Sequence, residues 1–234
     1  MKSVKYYLLS ILAILCIAGW GPFFFSTTND APLGSQVWLE KEIKIINSQA
    51  DNINSNVLRL SLKAYLKARE KGMDNKQLLT IIDYSKPSSE RRLWIVDLAK
   101  GKVLFNTWVS HGKNSGNVNA TSFSNQSGSL KSSLGVFLTD VMPYMGGNGY
   151  SLRLFGLERG INDNAYQRNV VIHGAWYAEG NVAKQRGQLG RSWGCPAVGE
   201  KLAKPIIDTI KNKTLVFVYS RDQKWLRNSN FLAG

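Results

Sequence analysis

Leu93-Trp94-Ile95-Val96-Asp97-Leu98-Ala99-Lys100-Gly101-Lys102-Val103-Leu104-Phe105-Asn106-Thr107-Trp108-Val109 decides the fold class of this chain. Two runs rich in β-branched and aromatic residues flank Leu98-Ala99-Lys100-Gly101, and a glycine there supplies the backbone freedom that a tight turn needs. The stretch reads as a β-hairpin. Upstream, Leu78-Leu79-Thr80-Ile81-Ile82-Asp83-Tyr84 is a short continuous apolar run, as in a strand buried on both faces, and Ser85 to Arg91 is a loop. Downstream, strands are expected around Gly135–Thr139, Ser151–Phe155, Asn169–His173 and Thr214–Tyr219. One helix is expected over Glu200–Lys211, with Leu202, Ile206 and Ile210 on its apolar face. Pro205 must then lie in its first turns or kink it. Ser110 to Ser133, rich in Ser, Asn and Gly, is a long loop of a kind that is often functional in a compact domain. Many strands, few helices and no β-α-β alternation make the fold mostly β.

Ahead of the first strand the period changes. Leu58, Leu62, Tyr65 and Leu66 fall at i, i+4, i+7 and i+8, one face of a helix, with Ser55 as N-cap and Gly72 as stop. Val37 to Ile46 is weakly helical. Residues 36–77 thus form a short helical N-terminal preface, and residues 26–35 a polar linker. Residues 1–25 carry Lys2 and Lys5 and then Tyr6–Phe25 without a charge. That is the basic and apolar pattern of a secretory signal, and it is also long enough to cross a bilayer. Residues 1–25 are therefore expected to be a signal peptide or an N-terminal membrane anchor, with membrane association through residues 6–25. The rest of the chain is then periplasmic or in the cell envelope. Cys16 lies inside this run and is read as an apolar signal residue, not a lipidation site.

The chain has 234 residues, 44% of them hydrophobic, enough for one domain with a real core. Thirty Lys and Arg against 16 Asp and Glu give a net charge of +14. Such a charge favours a polyanionic surface. Export and the lack of an RNP-type aromatic motif, a zinc knuckle or a long basic block exclude nucleic acid. Anionic lipid and a carboxylate-rich wall polymer remain, and a basic surface without a dedicated partner accounts for the charge equally well.

Chemistry concentrates in two segments: Val170-Val171-Ile172-His173-Gly174, and Gly190-Arg191-Ser192-Trp193-Gly194-Cys195-Pro196. Cys195 is the one cysteine beyond the leader, and an unpaired cysteine in an exported chain is a candidate reactive thiol. With an ordinary pKa of ~8.5, roughly 3% of a thiol is ionised at pH 7. A neighbouring histidine that lowered it to ~6.5 would ionise roughly three quarters. His173, at the end of a buried strand, is placed for that pairing, and the Gly174 carbonyl to hold its Nδ1–H so that Nε2 faces the sulfur. Gly194 allows a tight turn in which the Gly194 and Cys195 amides would point at a developing oxyanion. His111, in Ser110-His111-Gly112-Lys113, ends a strand at the long loop and is expected to line the site. Taken singly, His173 is an ordinary strand histidine and Cys195 a small buried hydrophobe; together, with Gly-rich flanks, they read as a catalytic dyad. A zinc site from Cys195, His173 and His111 lacks a regular ligand spacing, and no metal or organic cofactor is implied.

The His-Gly … Ser-x-Gly-Cys arrangement resembles the L,D-transpeptidase catalytic domain, a family of bacterial cell-wall enzymes. Further matching runs are Val109–Lys113, Phe123–Asn125, Ser132–Gly135, Gly156-Leu157-Glu158 with Asn162-Asp163, and Gly190–Val198. The resemblance implies a β-sandwich-like catalytic domain over 78–220, a C-terminal tail over 221–234, and peptidoglycan stem peptides as substrates. It also implies Cys195 as nucleophile, His173 as base, and Gly174 as the residue whose carbonyl orients that base. Arg191, Ser192, Trp193 and Gly194 fall in the motif that shapes the donor site, with His111 beside it. Two positions depart from the family pattern: Trp193 stands where a histidine is common, and Ala197 where an arginine is common. Arg191 is the candidate replacement for that guanidinium, although bracing the loop explains it as well. The implied reaction cleaves the bond before the terminal D-Ala through a thioester, then transfers to an amine (a 3→3 cross-link or protein tethering) or to water, as an L,D-carboxypeptidase. The rivals are a catalytically inactive basic wall-binding module and a sortase-like transpeptidase, whose arginine lies downstream of its cysteine.

Overall fold

The computed structural model describes residues 31–74 and 76–233. The leader at 1–25 and residues 26–30 of the linker lie outside the described residues. The apolar run and the hairpin are present as β1 (Leu78–Asp83), β2 (Leu93–Asp97) and β3 (Lys102–Thr107). The turn closes because Asp97 Oδ1 accepts the Lys100 amide at 3.0 Å and Gly101 adopts φ +57°. The remaining strands are β4 (Gly135–Thr139), β5 (Tyr144–Gly146), β6 (Gly149–Gly156), β7 (Val171–Gly174), β8 (Ala197–Val198) and β9 (Leu215–Tyr219). The sequence reading missed β5, a three-residue partner of β6 across the turn at Gly147-Asn148.

The strands join in the order β3-β2-β1-β9-β4-β6-β7-β8, with β5 added to β6. β1 and β9 are parallel, paired from Leu79↔Leu215 to Asp83↔Tyr219, and both are buried at nearly every position. Fully buried parallel strands read as continuous apolar runs instead of alternating ones. The two ends of this order also meet. Beyond β3, Ser110 bridges to Ala197 of β8, and Gly112 bridges to Ser192. This closure gives the mostly-β, sandwich-like architecture expected, and it makes a seam between the long loop and the Gly190–Pro196 segment.

The described residues also form five α-helices: α1 (Gln36–Gln49), α2 (Ser55–Glu70), α3 (Gly180–Arg186), α4 (Glu200–Ile210) and α5 (Gln223–Asn228). The N-cap of α2 is Asn54, one residue before the expected Ser55; its Oδ1 accepts the Asn56 and Val57 amides. Gly72 stops the helix in the left-handed region (φ +68°), with Gly72 N bonded to Arg69 O and Met73 N to Ala68 O. Trp38, Ile46, Leu58, Leu62 and Tyr65 belong to the same apolar cluster as Ile81, Trp94 and Phe217. The helical segment therefore shares one core with the sheet. Truncating any of the fully buried Leu or Ile side chains to Ala would cost about 2–5 kcal/mol. Residues 221–233 fold back likewise: Asp222 caps α5 by accepting the Trp225 amide at 2.8 Å, and Trp225 and Phe231 are buried in that core. The segment read as a tail thus anchors the domain. Among the described residues, no helix is long and apolar enough to cross a membrane.

Candidate active site

The residues that the sequence singles out for chemistry lie beside this seam. His173 is the penultimate residue of β7, and its nearest neighbours in the sheet are Ser151 of β6 and Ala197 of β8. The His173 Nδ1–H donates to the Gly174 carbonyl at 2.9 Å, because a carbonyl can only accept. Nε2 is left as the basic nitrogen. Gly174 is required by contact: a Cβ there would meet Ala203 Cβ of α4 at 2.9 Å. Cys195 follows a turn built on Ser192 and Gly194. Ser192 Oγ donates to the Cys195 carbonyl at 2.5 Å and accepts the Gly194 amide at 3.1 Å. Gly194 takes φ +127°, and a Cβ on it would stand 2.8 Å from the Lys131 carbonyl. The long loop is therefore a scaffold: Ser132 Oγ donates to Gly194 O at 3.1 Å and accepts Gly112 N at 3.0 Å.

Cys195 and His173 line one cleft of about 270 Å³, together with Asn148, Tyr177, Arg191, Ser192 and Trp193. A larger hollow of about 520 Å³ near Phe123 and Trp225 holds neither of the two. The thiol donates to the Asn169 carbonyl at 3.6 Å. Burial pushes the Cys195 thiol up, against the pull of the Val171 amide and the Arg168 guanidinium. Burial likewise pushes His173 down, opposed by its bond to Gly174. Both shifts favour the uncharged forms, thiol and neutral imidazole, and oppose the ion pair that a histidine-lowered thiol would give. Tyr177 faces the same thiol, and burial pushes its hydroxyl up to about 12, so it stays protonated.

Several expected site residues stand elsewhere or act otherwise. His111 does not line the cleft; it is fully buried behind it. Its Nδ1 accepts from Arg92 Nη2 at 2.8 Å, its Nε2–H donates to Gly116 O at 3.3 Å, and its carbonyl accepts the Ser192 amide at 3.0 Å. Burial and the adjacent Arg92 lower its pKa to about 4, which makes it a neutral strut. Arg191 reaches the rim, but its Nη1 donates to Asn117 Oδ1 at 2.6 Å and to the Gly116 and Lys113 carbonyls at 3.3 and 3.4 Å. That is the bracing arrangement. The Gly194 amide, expected to face an oxyanion, is held by Ser192. Trp193 is 76% exposed, with Lys113 Nζ 5.8 Å from its ring centroid, and it forms an open wall of the cleft.

The guanidinium beside the thiol comes from Arg168, which the sequence reading did not single out. Its Nη1 donates to Ser124 O and Ser133 Oγ, both at 2.6 Å, and its Nη2 to Lys131 O at 2.8 Å and Ser129 Oγ at 3.2 Å. Its Nε is buried without a partner. Ala197, at the position where the resemblance implies an arginine, is fully buried in β8. Asn148 and Tyr177 were also missed. Asn148-Gly149 is a strong hairpin signal, and Tyr177 lies three residues beyond the His-Gly pair, so both had traces in the sequence. Arg168 had none, since its partners lie in a distant loop.

A family model described as the L,D-transpeptidase catalytic domain matches residues 49–219. No curated protein matches the chain in sequence. Among solved structures, an L,D-transpeptidase from Mycobacterium smegmatis is similar at 16% identity and a TM-score of 0.38, covering 62% of this chain and 59% of that one. L,D-transpeptidase 1 of Mycobacterium tuberculosis is similar at 13% identity and a TM-score of 0.36, covering 62% and 60%. An L,D-transpeptidase from Stackebrandtia nassauensis shows 12% identity and a TM-score of 0.35 over 76% of each chain. The chain spans about three fifths of the length of the two mycobacterial structures.

Proposed function

We propose that this chain, which belongs to the L,D-transpeptidase catalytic domain family, is an exported cysteine acyltransferase that acts on peptidoglycan stem peptides. The observation that carries the reading is the single cleft shared by Cys195 and a His173 whose Nδ1–H is tied to the Gly174 carbonyl. His173 Nε2 takes the thiol proton as the sulfur attacks the carbonyl between the diamino residue at stem position three and the terminal D-Ala. With the Gly194 amide held by Ser192, the Cys195 amide is the backbone donor for the oxyanion. The carbon–nitrogen bond breaks, D-Ala leaves with the proton from His173, and a thioester remains on Cys195. An amine of a second stem or of a protein, or water, then attacks that thioester; His173 removes the nucleophile's proton and returns it to the sulfur. No step calls for a metal or an organic cofactor.

The export part of the reading rests on Lys2, Lys5 and the uncharged run Tyr6–Phe25. A mature N-terminus beyond residue 25 would establish a cleaved leader, and an intact Met1 an anchor. For the reaction, purified domain is incubated with disaccharide-tetrapeptide and the products are weighed by mass spectrometry. A cross-linked dimer or a trimmed tripeptide is expected, absent with Cys195→Ala. Equal product from Cys195→Ala, or none from the parent protein, would sink the reading.

A further inference from the structure

The arginines near the cleft differ in how far their donors are engaged. Arg191 and Arg168 are tied to loop carbonyls and side chains, and Arg92 is buried on Val109 O, Lys86 O and His111. Arg153 is different. It lies on β6 opposite Val171, and Ser151, two residues before it, lies opposite His173. Directly paired residues share a face, and alternate residues of one strand do too. Arg153 and His173 therefore emerge on the same side of the sheet, about 7 Å apart along the strand direction.

The Arg153 guanidinium is held between two rings, with its carbon 4.6 Å from the Tyr144 centroid and 5.3 Å from that of Tyr166. Tyr166 is itself stacked on Phe155 at 4.5 Å. Nη1 donates to Asn169 Oδ1 at 2.6 Å, and the carbonyl of the same Asn169 accepts the Cys195 thiol at 3.6 Å. One residue thus links the guanidinium to the nucleophile, and it does so from a left-handed backbone (φ +53°) that asparagine tolerates better than most side chains. Among the described residues no carboxylate pairs with Arg153. Tyr166, one of the two rings, is 44% exposed, and Phe155 stacked on it is 37% exposed, so this side of the guanidinium borders open solvent.

A guanidinium has five N–H donors in a fixed fork suited to a carboxylate. Ring sandwiching fixes the plane of that fork in advance, so less side-chain freedom is lost on binding. We propose that Arg153, clamped between Tyr144 and Tyr166, is an anion subsite that takes a carboxylate of the bound peptide beside the nucleophile. This rests on the stem-peptide reading above. The carboxylates meant are the two that flank the scissile bond, those of the terminal D-Ala and of the diamino residue, which share this chemistry.

Parent protein, Arg153→Gln and Arg153→Lys are assayed on the free tetrapeptide stem and on two analogues, each with one of those carboxylates amidated. Hydrogen bonds to charged groups of this kind are worth about tenfold to a hundredfold in affinity. In the parent, one amidation is expected to raise KM by that factor, and the sensitive analogue identifies the carboxylate. Arg153→Gln is expected to show the same rise on the free peptide, carried by KM and not kcat, and to be indifferent to amidation. Arg153→Lys is expected to recover only part of it. Equal KM in the parent for all three peptides overturns the subsite, whether or not the variants fold. So does an Arg153→Gln protein, alkylated at Cys195 at the parent rate, that keeps the parent's preference. If the parent neither binds nor turns over any stem peptide, the function reading fails first and the subsite with it.

Discussion

Gly112→Ala tests whether the long loop positions the nucleophile. A Cβ on Gly112 would stand 2.5 Å from the Leu130 carbonyl oxygen and 2.9 Å from both Gly194 Cα and Ser132 N. All three are backbone atoms, so no side-chain rotation relieves the clash. Ordinary contact begins near 3.4 Å, so the loop and the nucleophile turn must part by about 0.5 Å on one side and 0.9 Å on the other. Overpacking of this size costs about 1–3 kcal/mol. For a domain of this length that lowers Tm by roughly 2–4 °C per kcal/mol. The larger effect falls on catalysis, where a misplacement of about 1 Å costs up to ~100-fold. The assay measures kcat/KM on a stem tetrapeptide beside the far-UV circular dichroism and Tm of the same sample. A loss of roughly 10- to 100-fold in kcat/KM with secondary structure retained is expected. Gly147→Ala, whose Cβ would meet nothing within 4 Å, is the control. A folded Gly112→Ala protein with kcat/KM within about twofold of the parent would refute the argument that this seam sets the nucleophile's position.

Three further outcomes follow from the site's geometry. The pKa of His111 falls from 6.5 to about 4 on folding, so the unfolded chain binds a proton first as pH drops. Its share of stability, about 3 kcal/mol, is present above pH 6.5 and is lost between about 6.5 and 4; His111→Gln should flatten that window in urea titrations, and an unchanged slope would contradict it. Arg168→Gln should slow Cys195 alkylation by iodoacetamide at pH 7 by about threefold or more and move its pH midpoint upward, because a charge that favours the thiolate is gone; a lower Tm with an identical pH profile would reduce Arg168 to a loop brace. Arg191→Ala should lower Tm by a few degrees, roughly 1 kcal/mol, with donor KM unchanged; a raised KM with unchanged Tm would instead make Arg191 a donor contact.

What could be read from the sequence was what local chemistry determines. The β2–β3 hairpin was legible because Asp97 and Gly101 encode the turn between two apolar runs. The pairing of His173 with the Gly174 carbonyl was legible because adjacent residues make it. Where a long-range contact decides, the reading failed. Nothing in Ser-Trp-Gly-Cys says that Ser192 Oγ takes the Gly194 amide, and that bond removes an expected oxyanion donor. His111 was read as lining the site because it ends a strand, but Arg92, brought in from β2's start, occupies its Nδ1. Arg153 and Arg168 are unremarkable in sequence and acquire their surroundings only when β6, the 124–133 loop and Asn169 meet. Helix α5 was missed because six residues with one deeply buried anchor, Trp225, leave no periodic signal.

The order of strands has a bearing on when the surroundings of Cys195 assemble. Within the sheet, the β1–β3 half and the β4–β8 half are joined through β9, which follows the other eight described strands in the chain. The β1–β9 ladder closes a loop that spans most of the domain, and pairings of such separation form late in folding. Until residues near Tyr219 are available, the half that carries His173 and Cys195 is joined within the sheet to the half that leads into Ser110 and Gly112 by two single bridges at the seam and not by a continuous ladder. A chain cut ahead of Leu215 therefore keeps both Cys195 and His173 but holds them in a sheet whose two halves no continuous ladder joins.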